Sequence, residues 1–505
     1  MSWTFSLEQP PDGDTAAQKA ILGGKGLNLS VMTTELALPV PPGFVISTDA
    51  CKAFMSGGWP DGLDEELRAQ VTRIEELAER RFGDAADPLL VSVRSGAPVS
   101  MPGMLDTILN LGLNDATTAG LADISGDAAF AAACRHRLEV MYCDIVGVDE
   151  TPEDPWQQLH AAIEAVFRSW DGARARSYRQ REDISADLGT AVIIQAMVFG
   201  NRGDGSATGV LFTRNPATGE DVLYGDVLFG AQGEDVVAGA HTTEPIAVLD
   251  ERMPALGAEL RDYAKALERH FNDVCDIEFT IEEGRLWMLQ NRIGKRSAQA
   301  ALRIAMEMAA DESLSLTRAQ AVVGVAAILA DPPVSVSPDV EGDLPVVAIG
   351  LPASPGLAVG PIATSPEAAV RMAEQGDRAI LVRSETSPDD VHGMARAAGI
   401  LTSSGGLASH AAVVARGWDI PAVVGARDVV VEPGRISIGA RMWKEGDEIS
   451  IDGTTGDVFG EAVESAATVA PEAATLLRWA KEFEIDIEAA AGEAELISGG
   501  VAAAS

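Results

Sequence analysis

Residues 405–416 read Gly-Gly-Leu-Ala-Ser-His-Ala-Ala-Val-Val-Ala-Arg. The paired glycines free the backbone for a tight turn, and the pattern predicts that Ser409 caps a helix beginning near His410. An imidazole at that point lies beside unpaired N–H groups and the positive end of the helix dipole. The motif therefore indicates a histidine nucleophile whose neighbouring amides hold an arriving phosphoryl group. The alternative for an isolated motif is a histidine that merely caps or packs a helix.

The composition indicates a globular protein and argues against several classes of partner. With 505 residues the chain is long enough for two to four domains with sizeable cores. The formal net charge of −38 argues against non-specific binding to nucleic acid or to anionic membranes. No apolar run approaches the roughly 20 residues of a membrane span, and no secretory signal is visible at the N-terminus. We therefore expect a cytoplasmic protein with neither nucleic-acid nor membrane partners.

The cysteines are expected to be reduced thiols. Cys51, Cys134, Cys143 and Cys275 show no Cys-x-x-Cys spacing and no histidine partner at the spacing of a zinc site. A cytoplasmic location is consistent with that reading.

Apolar periodicity predicts a multidomain protein of the α/β and α+β classes. Over the first 300 residues, apolar strands alternate with amphipathic helices. Buried strands are predicted at 89–93, 190–195 and 209–213. A hairpin is predicted over 277–290, with its turn at Glu283 and Gly284.

Proline and acidic residues mark the expected domain boundaries. Helices are predicted at 297–308 and at about 317–329, after which an acidic, proline-containing segment ends the periodicity. That segment is the best candidate for a linker. We expect a nucleotide-binding region, a helical segment with the linker, a compact domain carrying His410 and an Ala- and Glu-rich tail, at 1–300, 301–345, 346–462 and 463–505.

Two segments near the N-terminus carry candidate phosphate ligands. Residues 23–26, Gly-Gly-Lys-Gly, precede a helical pattern and could deliver Lys25 to a nucleotide phosphate, although the spacing of a Walker A motif is missing. An ordinary turn is the alternative.

Residues 93–104 are rich in proline and glycine and follow a buried strand. This loop could fold over a triphosphate with charge from Arg94, or it could be purely structural.

The hairpin carries candidate metal ligands. Glu278 and Gln290 are expected to face each other across its turn. Asp276 lies two residues before Glu278 and Arg292 two residues after Gln290, so each is expected on the same face of its strand as that neighbour. Oxygen ligands on paired strands can coordinate a Mg²⁺ ion that bridges phosphates, and the cationic side chain of Arg292 can bind the phosphates themselves. A surface ladder of salt bridges is the alternative.

The His410 motif resembles the phosphohistidine signature of the phosphoenolpyruvate-utilising enzymes. Further segments resemble the amino-terminal half of the pyruvate, phosphate dikinase family, and together they extend the resemblance over about residues 1–485. They include the segments at 41–44, 213–219, 232–239, 289–292 and 420–425.

This resemblance implies an ATP-grasp-type fold for residues 1–300 and a swivelling phosphohistidine domain at 346–462. It implies ATP and Mg²⁺ as cofactors and His410 as the residue that becomes phosphorylated. The residues implied at the nucleotide and its phosphates are Lys25, Arg94, Gly96, Ser100, Gly103, Gln195, Met197, Val198 and Arg292. Those implied at the metal are Glu278 and Gln290.

Two positions depart from the family pattern. Ala408 stands where relatives usually carry Thr, Ser or Asn, which removes a hydroxyl near the phosphoryl group and a site of regulatory phosphorylation. His241 stands where an arginine is usual, which weakens a phosphate contact there.

The acceptor of the phosphoryl group is the open question. Full-length dikinases continue into a large barrel that binds pyruvate or phosphoenolpyruvate, and we expect no such barrel within these 505 residues. The first hypothesis is therefore a dikinase half that phosphorylates His410 from ATP and phosphate and serves a separate barrel protein that binds pyruvate, with a homo-oligomer also compatible. The alternatives are a phosphotransferase with another small-molecule or protein acceptor, and a non-catalytic nucleotide-binding regulator.

Overall fold

The computed structural model describes residues 2–99, 101, 106–181, 184–237, 243–332, 334–338, 345–407 and 409–492. By their contacts the residues form two compact units. The first unit joins Met1–Ser206 to Phe279–Arg292, and the second joins Ala207–Glu278 to Ile293–Glu495. The four-part division expected from the sequence stays a prediction.

The first unit is built on an antiparallel sheet covered by helices. Its strands up to residue 206 are β1 (Thr4–Ser6), β2 (Gly43–Ile46), β3 (Arg81–Phe82), β4 (Pro88–Leu89), β5 (Val91–Gly96), β6 (Thr107–Leu111) and β7 (Ala191–Ala196). Its helices are α1 (Thr15–Thr34), α2 (Thr48–Gly57), α3 (Leu63–Ala78), α4 (Asp115–Ser125), α5 (Ala128–Val146), α6 (Pro155–Ser169) and α7 (Ala173–Arg181). The main sheet has the order β1-β2-β7-β5-β6.

Apolar burial holds this sheet together. Strands β5 and β7 pair antiparallel at its centre, with Val93 opposite Ile194, and both side chains are fully buried. Each side chain of this kind contributes about 1.5–3 kcal/mol through removal from water. The strands predicted at 89–93 and 190–195 are thereby confirmed, the first as β4 and β5 together.

Helix α1 differs from its prediction. The sequence predicts a helix after residues 23–26, but the helix begins at Thr15 and is interrupted at Gly23, where φ is 70° and ψ is 169°. A β-carbon on Gly23 would lie 1.7 Å from the carbonyl oxygen of Gly96. The kink therefore exists because only glycine permits both this dihedral angle and this backbone approach.

Residues 207–330 add a second sheet and further helices. The strands are β8 (Ala207–Phe212), β9 (Tyr224–Phe229), β10 (Glu244–Pro245), β11 (Cys275–Glu282) and β12 (Arg285–Ile293). The helices are α8 (Gly233–Val237), α9 (Val248–Arg252), α10 (Pro254–Phe271), α11 (Ala298–Met308), α12 (Arg318–Gly324) and α13 (Ala326–Ala330). The sheet order is β10-β9-β8-β11-β12, and the division between the two units falls within β11 and β12.

The predicted hairpin and helices are found, with one exception. Glu283 and Gly284 have φ of 47° and 79°, as a two-residue type I′ turn requires. Helix α11 begins after the N-cap Ser297, whose hydroxyl accepts from the N–H of Ala300. The single helix predicted at 317–329 is wrong, because Val325 has φ of −120° and ψ of 17° and separates α12 from α13.

Residues 334–482 supply the remaining elements. The strands are β13 (Val334–Pro338), β14 (Val346–Ile349), β15 (Leu351–Ser354), β16 (Leu357–Ala363), β17 (Ile380–Arg383), β18 (Gly399–Thr402), β19 (Ala422–Val424), β20 (Val429–Glu432), β21 (Arg435–Ile438), β22 (Arg441–Lys444), β23 (Glu448–Asp452), β24 (Asp457–Phe459) and β25 (Ser465–Val469). The helices are α14 (Pro366–Glu374), α15 (Val391–Met394), α16 (His410–Gly417) and α17 (Pro471–Glu482).

The region that carries His410 is an α/β layer. Its eight-stranded sheet has the order β14-β24-β23-β16-β17-β18-β19-β15, and β16 to β19 pair in parallel. Small residues of α14 and α16, among them Ala369, Ala412 and Ala415, are fully buried in a cluster with sheet residues such as Leu381 and Ile400. Because α16 follows the carboxyl end of β18, its first residue stands at the sheet edge where parallel α/β folds bind ligands.

The strands that flank this region pair with each other. Strand β13 lies in the predicted linker, and it pairs antiparallel with β25 from Val334 opposite Val469 to Pro338 opposite Ser465. Helices α11, α12 and α17 share a cluster that includes Leu302, Val322 and Leu476. The two connections to the His410 region therefore form one ribbon.

The described residues bear on two expectations from the composition, which concern membrane spans and the state of the cysteines. Within the described ranges, no helix is long and apolar enough to cross a membrane. All four cysteines are free thiols, and burial raises the pKa of Cys51 to about 11.

Gly120→Ala is expected to reverse the usual effect of alanine in a helix. Alanine normally stabilises a helix interior by about 0.5–1 kcal/mol over glycine. In α4, however, a β-carbon on Gly120 would lie 2.0 Å from the carbonyl oxygen of Ala85, so we expect a loss of about 1–3 kcal/mol from overpacking. The matched control is Gly324→Ala in α12, where the β-carbon meets open space. Urea unfolding compares the two variants, and equal midpoints would contradict the assigned contact.

Candidate functional site

The two glycine-containing loops of the first unit contact each other. The N–H of Gly24 donates to the carbonyl oxygen of Ala97 at 3.0 Å. A β-carbon on Gly96 would lie 3.6 Å from Cβ of Lys25. The structure therefore brings Lys25 and Gly96 together, although 70 residues of chain separate them.

Arg94 connects this cluster to strand β12. Its guanidinium donates to the carbonyl oxygen of Leu289 at 3.2 Å and to Oε1 of Gln290 at 3.3 Å. Asn28 donates to the carbonyl oxygen of Asn291 at 2.7 Å. Lys25, Gly96, Arg94 and Gln290 therefore converge in this part of the first unit, and Arg292 follows Asn291 on the same strand.

The end of β7, where the nucleotide is expected to bind, has mixed roles. Gln195 is buried, and its Nε2 donates to the carbonyl oxygen of Pro41 at 3.0 Å. Met197 and Val198 are half-buried at the end of β7, and the N–H of Met197 donates to Leu90. Gln195 therefore anchors the preceding loop through its side chain, and its contact with a nucleotide stays a prediction.

Four positions singled out in the sequence fall outside the described residues. They are Ser100, Gly103, His241 and Ala408. Their suggested roles stay predictions.

The candidate metal ligands provide hard oxygen donors. Glu278 is half-buried on β11, in the second unit, and Gln290 lies on β12, in the first. Within the part of the chain that the structure describes, no group of three or more His, Cys, Asp or Glu residues forms a ready-made metal cage. A carboxylate oxygen and an amide oxygen are each donors of the kind that Mg²⁺ accepts, and the prediction that these two residues share one ion stays a prediction.

His410 begins helix α16, and its ring is oriented by a hydroxyl. Its Nδ1 lies 3.1 Å from Oγ1 of Thr386. Both residues follow the carboxyl ends of neighbouring parallel strands, His410 after β18 and Thr386 after β17. Thr386 was missed in the sequence, and this placement at one sheet edge is the signal that could have found it.

The contact with Thr386 determines which ring nitrogen can act as a nucleophile. If Nδ1 carries the proton and donates it to Thr386, the lone pair of Nε2 is available. In the other tautomer the hydroxyl donates to Nδ1, and Nε2 bears the proton. Nucleophilic attack from Nε2 therefore requires Thr386 as an acceptor.

Ser409 occupies the predicted position but does not make the predicted bond. It is the N-cap residue of α16, with φ of −63° and ψ of 160°, yet its side chain makes no capping hydrogen bond. Its Oγ is buried without a partner among the described residues. An unpaired buried hydroxyl costs about 1–3 kcal/mol, so this oxygen and the uncapped amides of α16 are suited to a ligand.

The loop before His410 packs on strand β9, within the second unit. A β-carbon on Gly406 would lie 2.4 Å from Oδ2 of Asp226 and 2.8 Å from Oγ1 of Thr243. Nearby, the hydroxyl of Tyr224 donates to the carbonyl oxygen of Pro352 at 2.8 Å. The backbone of the loop is therefore in direct contact with the sheet that includes β11, the strand of Glu278.

The surroundings of His410 keep its ring neutral. Burial lowers the pKa of His410 below the ordinary 6.5, and the charge of Asp390 opposes that shift. Asp390 is itself buried and is held by the N–H of Ser387 at 2.7 Å. At neutral pH the nitrogen lone pair is therefore available for attack.

We expect the reaction of His410 with diethylpyrocarbonate, followed by mass spectrometry, to titrate at a pH below 6.5. Asp390→Asn should move the midpoint lower still, because the carboxylate is the group that raises the pKa of His410. Asp389→Asn is the control, since Asp389 is exposed on the same turn. A midpoint above 6.5, or an upward shift in Asp390→Asn, would contradict this electrostatic account.

Two family models match the chain over the regions just described. The model of the pyruvate phosphate dikinase AMP/ATP-binding domain matches residues 19–59, 59–262 and 255–313. The model of the PEP-utilising enzyme mobile domain matches residues 375–456, which include His410 and Thr386.

Individual relatives match over nearly the whole chain. Pyruvate, phosphate dikinase of Clostridium symbiosum is 42% identical over 537 residues, which cover 95% of this chain and 60% of that protein. The enzyme of Rhizobium meliloti is 43% identical, with the same coverage of both chains, and the chloroplastic dikinase 1 of Arabidopsis thaliana is 44% identical over 92% of this chain and 53% of its own length. The chain thus spans little more than half the length of these relatives. With these matches and the arrangement around His410, the chain belongs to the pyruvate, phosphate dikinase family.

Proposed function

We propose that residues 1–505 perform the nucleotide half-reaction of a dikinase, in which ATP and phosphate phosphorylate His410. The observation that carries the proposal is the contact of Gly406 with Asp226. It means that the loop bearing the nucleophile packs on a strand of the region matching the nucleotide-binding family model. An ATP-grasp-type fold for residues 1–300 is part of the same proposal.

The reaction is a double displacement at phosphorus. Nε2 of His410 attacks the β-phosphorus of ATP, the bond from that phosphorus to the α-phosphate bridging oxygen breaks, and AMP leaves. Inorganic phosphate then attacks the terminal phosphorus of the pyrophosphoryl group. Pyrophosphate leaves, and one phosphoryl group remains on His410.

Cationic side chains and backbone amides of the chain stabilise the negative charge of the phosphate groups in these steps. The proposed phosphate ligands are Lys25, Arg94 and Arg292. The guanidinium of Arg94 is oriented by the hydrogen bond that it donates to Gln290. Glu278 and Gln290 would hold Mg²⁺, which when bound neutralises phosphate charge. The uncapped first turn of α16 and the unpaired Oγ of Ser409 stabilise the phosphoryl group on His410.

Phosphohistidine must then move to its acceptor. The β13–β25 ribbon contains both connections to the His410 region, so we propose that it acts as the hinge. The acceptor is proposed to be pyruvate on a barrel outside residues 1–505. In the relatives the remaining length belongs to the same polypeptide, so a separate barrel subunit has no support from them and stays a hypothesis.

The competing functions differ in testable ways. A different small-molecule or protein acceptor would leave the labelling of His410 unchanged, whereas a regulator without catalysis would show none. The cytoplasmic location and any homo-oligomer stay predictions.

Incubation with [β-³²P]ATP, Mg²⁺ and phosphate is expected to label the protein at His410 and to release AMP. His410→Ala should lose the label because the nitrogen nucleophile is gone. His392→Ala is the matched control, since this exposed histidine lies on α15 of the same region. Phosphohistidine is recognised by its lability in acid, and [γ-³²P]ATP should deliver its label to pyrophosphate.

Acid-stable label, or equal label in His410→Ala, would defeat the mechanism. A wild-type protein that binds ATP but acquires no label would favour the regulator. Pyruvate added to the labelled protein should yield no phosphoenolpyruvate from these residues alone, and its formation would overturn the assignment of the acceptor site.

Thr386→Val is expected to slow single-turnover labelling about tenfold, because it removes a hydrogen bond worth about 1 kcal/mol together with the tautomer it selects. Thr386→Ser keeps the hydroxyl and should stay within about threefold of the wild type, on the same reasoning. Rapid-quench measurement of acid-labile label compares the two. Equal rates for the two variants would show that the hydroxyl does not orient the ring.

A further inference from the structure

Arg416 lies near the end of the helix that His410 begins, and its side chain is fully buried. Two of its nitrogens donate to carbonyl oxygens at 2.9 Å, one to Ala353 on β15 and one to Leu407. Leu407 belongs to the loop that precedes His410. The guanidinium therefore ties that loop to β15 by donating one hydrogen bond to each, a planar two-donor geometry that only arginine offers.

The other surroundings of Arg416 come from residues 207–278. Its guanidinium carbon lies 5.2 Å from the centre of the Phe212 ring. Burial lowers the pKa of Arg416, and the nearby Tyr224, Asp276 and Asp226 oppose that shift. These residues lie on β8, β9 and β11, so part of the charge compensation for this buried cation comes from outside its own region.

This arrangement depends on the packing of the His410 region against that sheet. A buried cation is tolerated only with nearby opposite charge and hydrogen bonds. If the region between β14 and β24 moved away on its ribbon, Arg416 would lose Phe212 and both carboxylates and would face water. The packed arrangement thus has the contact with the Phe212 ring and the electrostatic attraction of nearby carboxylates, which the separated arrangement lacks.

Gly406 lies at the same packing contact between the His410 loop and β9. Its φ is not positive, so alanine could adopt the same backbone conformation. A β-carbon there would nevertheless collide with the Asp226 carboxylate. Gly406→Ala is therefore a substitution that opposes the packed arrangement and leaves the His410 region itself intact.

We propose that Arg416 is a positioning residue that couples packing of the His410 region on β8, β9 and β11 to the shape of the catalytic loop. Through Leu407 it sets the loop, and through Phe212, Asp226 and Asp276 it holds the loop against the sheet during transfer from ATP. This inference rests on the proposed function, because it assigns a role within the ATP-dependent phosphorylation of His410.

The test compares two routes to the same phosphohistidine in each variant. Transfer from ATP requires the packed arrangement. Phosphoramidate is a small donor that can reach the imidazole in the separated arrangement, forming the N–P bond and releasing ammonia. The ratio of the two rates isolates the packing step, because a merely structural defect lowers both rates together.

Arg416→Met is expected to lower the ATP-dependent rate about 30-fold or more, as loss of charge-assisted hydrogen bonds implies, and the phosphoramidate rate far less. Arg416→Lys keeps the charge without the fork and should lose about tenfold in the ATP-dependent rate. Gly406→Ala should show a similar loss, with the phosphoramidate rate within about twofold of the wild type. Arg378→Met is the control, since Arg378 donates to Ala397 within its own region, and both of its rates should be unchanged.

Asp226→Asn keeps the inference testable if Arg416→Met does not fold. It removes one carboxylate near Arg416 at constant size, and its ATP-dependent rate alone should fall. An Arg416→Met protein with the wild-type ATP-dependent rate would overturn the inference, as would equal loss of both rates in Arg416→Met, Gly406→Ala and Asp226→Asn. A wild-type protein that phosphoramidate labels at His410 and ATP does not would instead defeat the proposed function, and the inference with it.

Discussion

The approach of the Gly406 backbone to the Asp226 carboxylate is the contact on which the placement of the His410 loop against β9 depends. A side chain at this position would hold the His410 loop away from β9, because its β-carbon would fall 2.4 Å from a carboxylate oxygen. In the proposed reaction, the same contact brings a carboxylate towards a loop that carries a phosphoryl group. Phosphorylation of His410 would then raise the repulsion between these charges, so the product would weaken the packing that the transfer requires.

A second glycine contact organises the first unit in the same way. Gly23 lies against the carbonyl oxygen of Gly96, and the kink it produces in α1 turns Lys25 towards the loop after β5. In both units glycine allows two backbone segments to meet. Charged side chains next to these contacts, Lys25 and Arg94 in one unit and Asp226 and Arg416 in the other, then occupy defined positions in a chain whose net charge is −38.

The sequence predicted the parts of the fold and site that depend on local pattern. Buried strands such as β7, the Glu283–Gly284 turn and the start of α16 at His410 follow from apolar runs, turn residues and a motif. The break at Val325 and the helical residues 15–22 before Gly23 were missed. The glycine turn expected at 23–26 appears instead as a kink within α1, where Gly23 lies against the distant Gly96. Thr386, Asp390, Asp226 and the role of Arg416 were also missed, since each acts on the His410 loop from a position that only the three-dimensional packing brings near.

The chemistry of His410 combines two opposing requirements. A neutral imidazole is needed for attack, and burial favours it by lowering the pKa of the ring. In the phosphorylated state that we propose, however, the ring carries a group that needs hydrogen-bond donors and positive potential. The first turn of α16 meets that need, because its amides are not capped by Ser409 and the helix dipole favours negative charge at this end. In the proposed reaction, the single short helix α16 therefore serves both the attack by the neutral ring and the phosphorylated state.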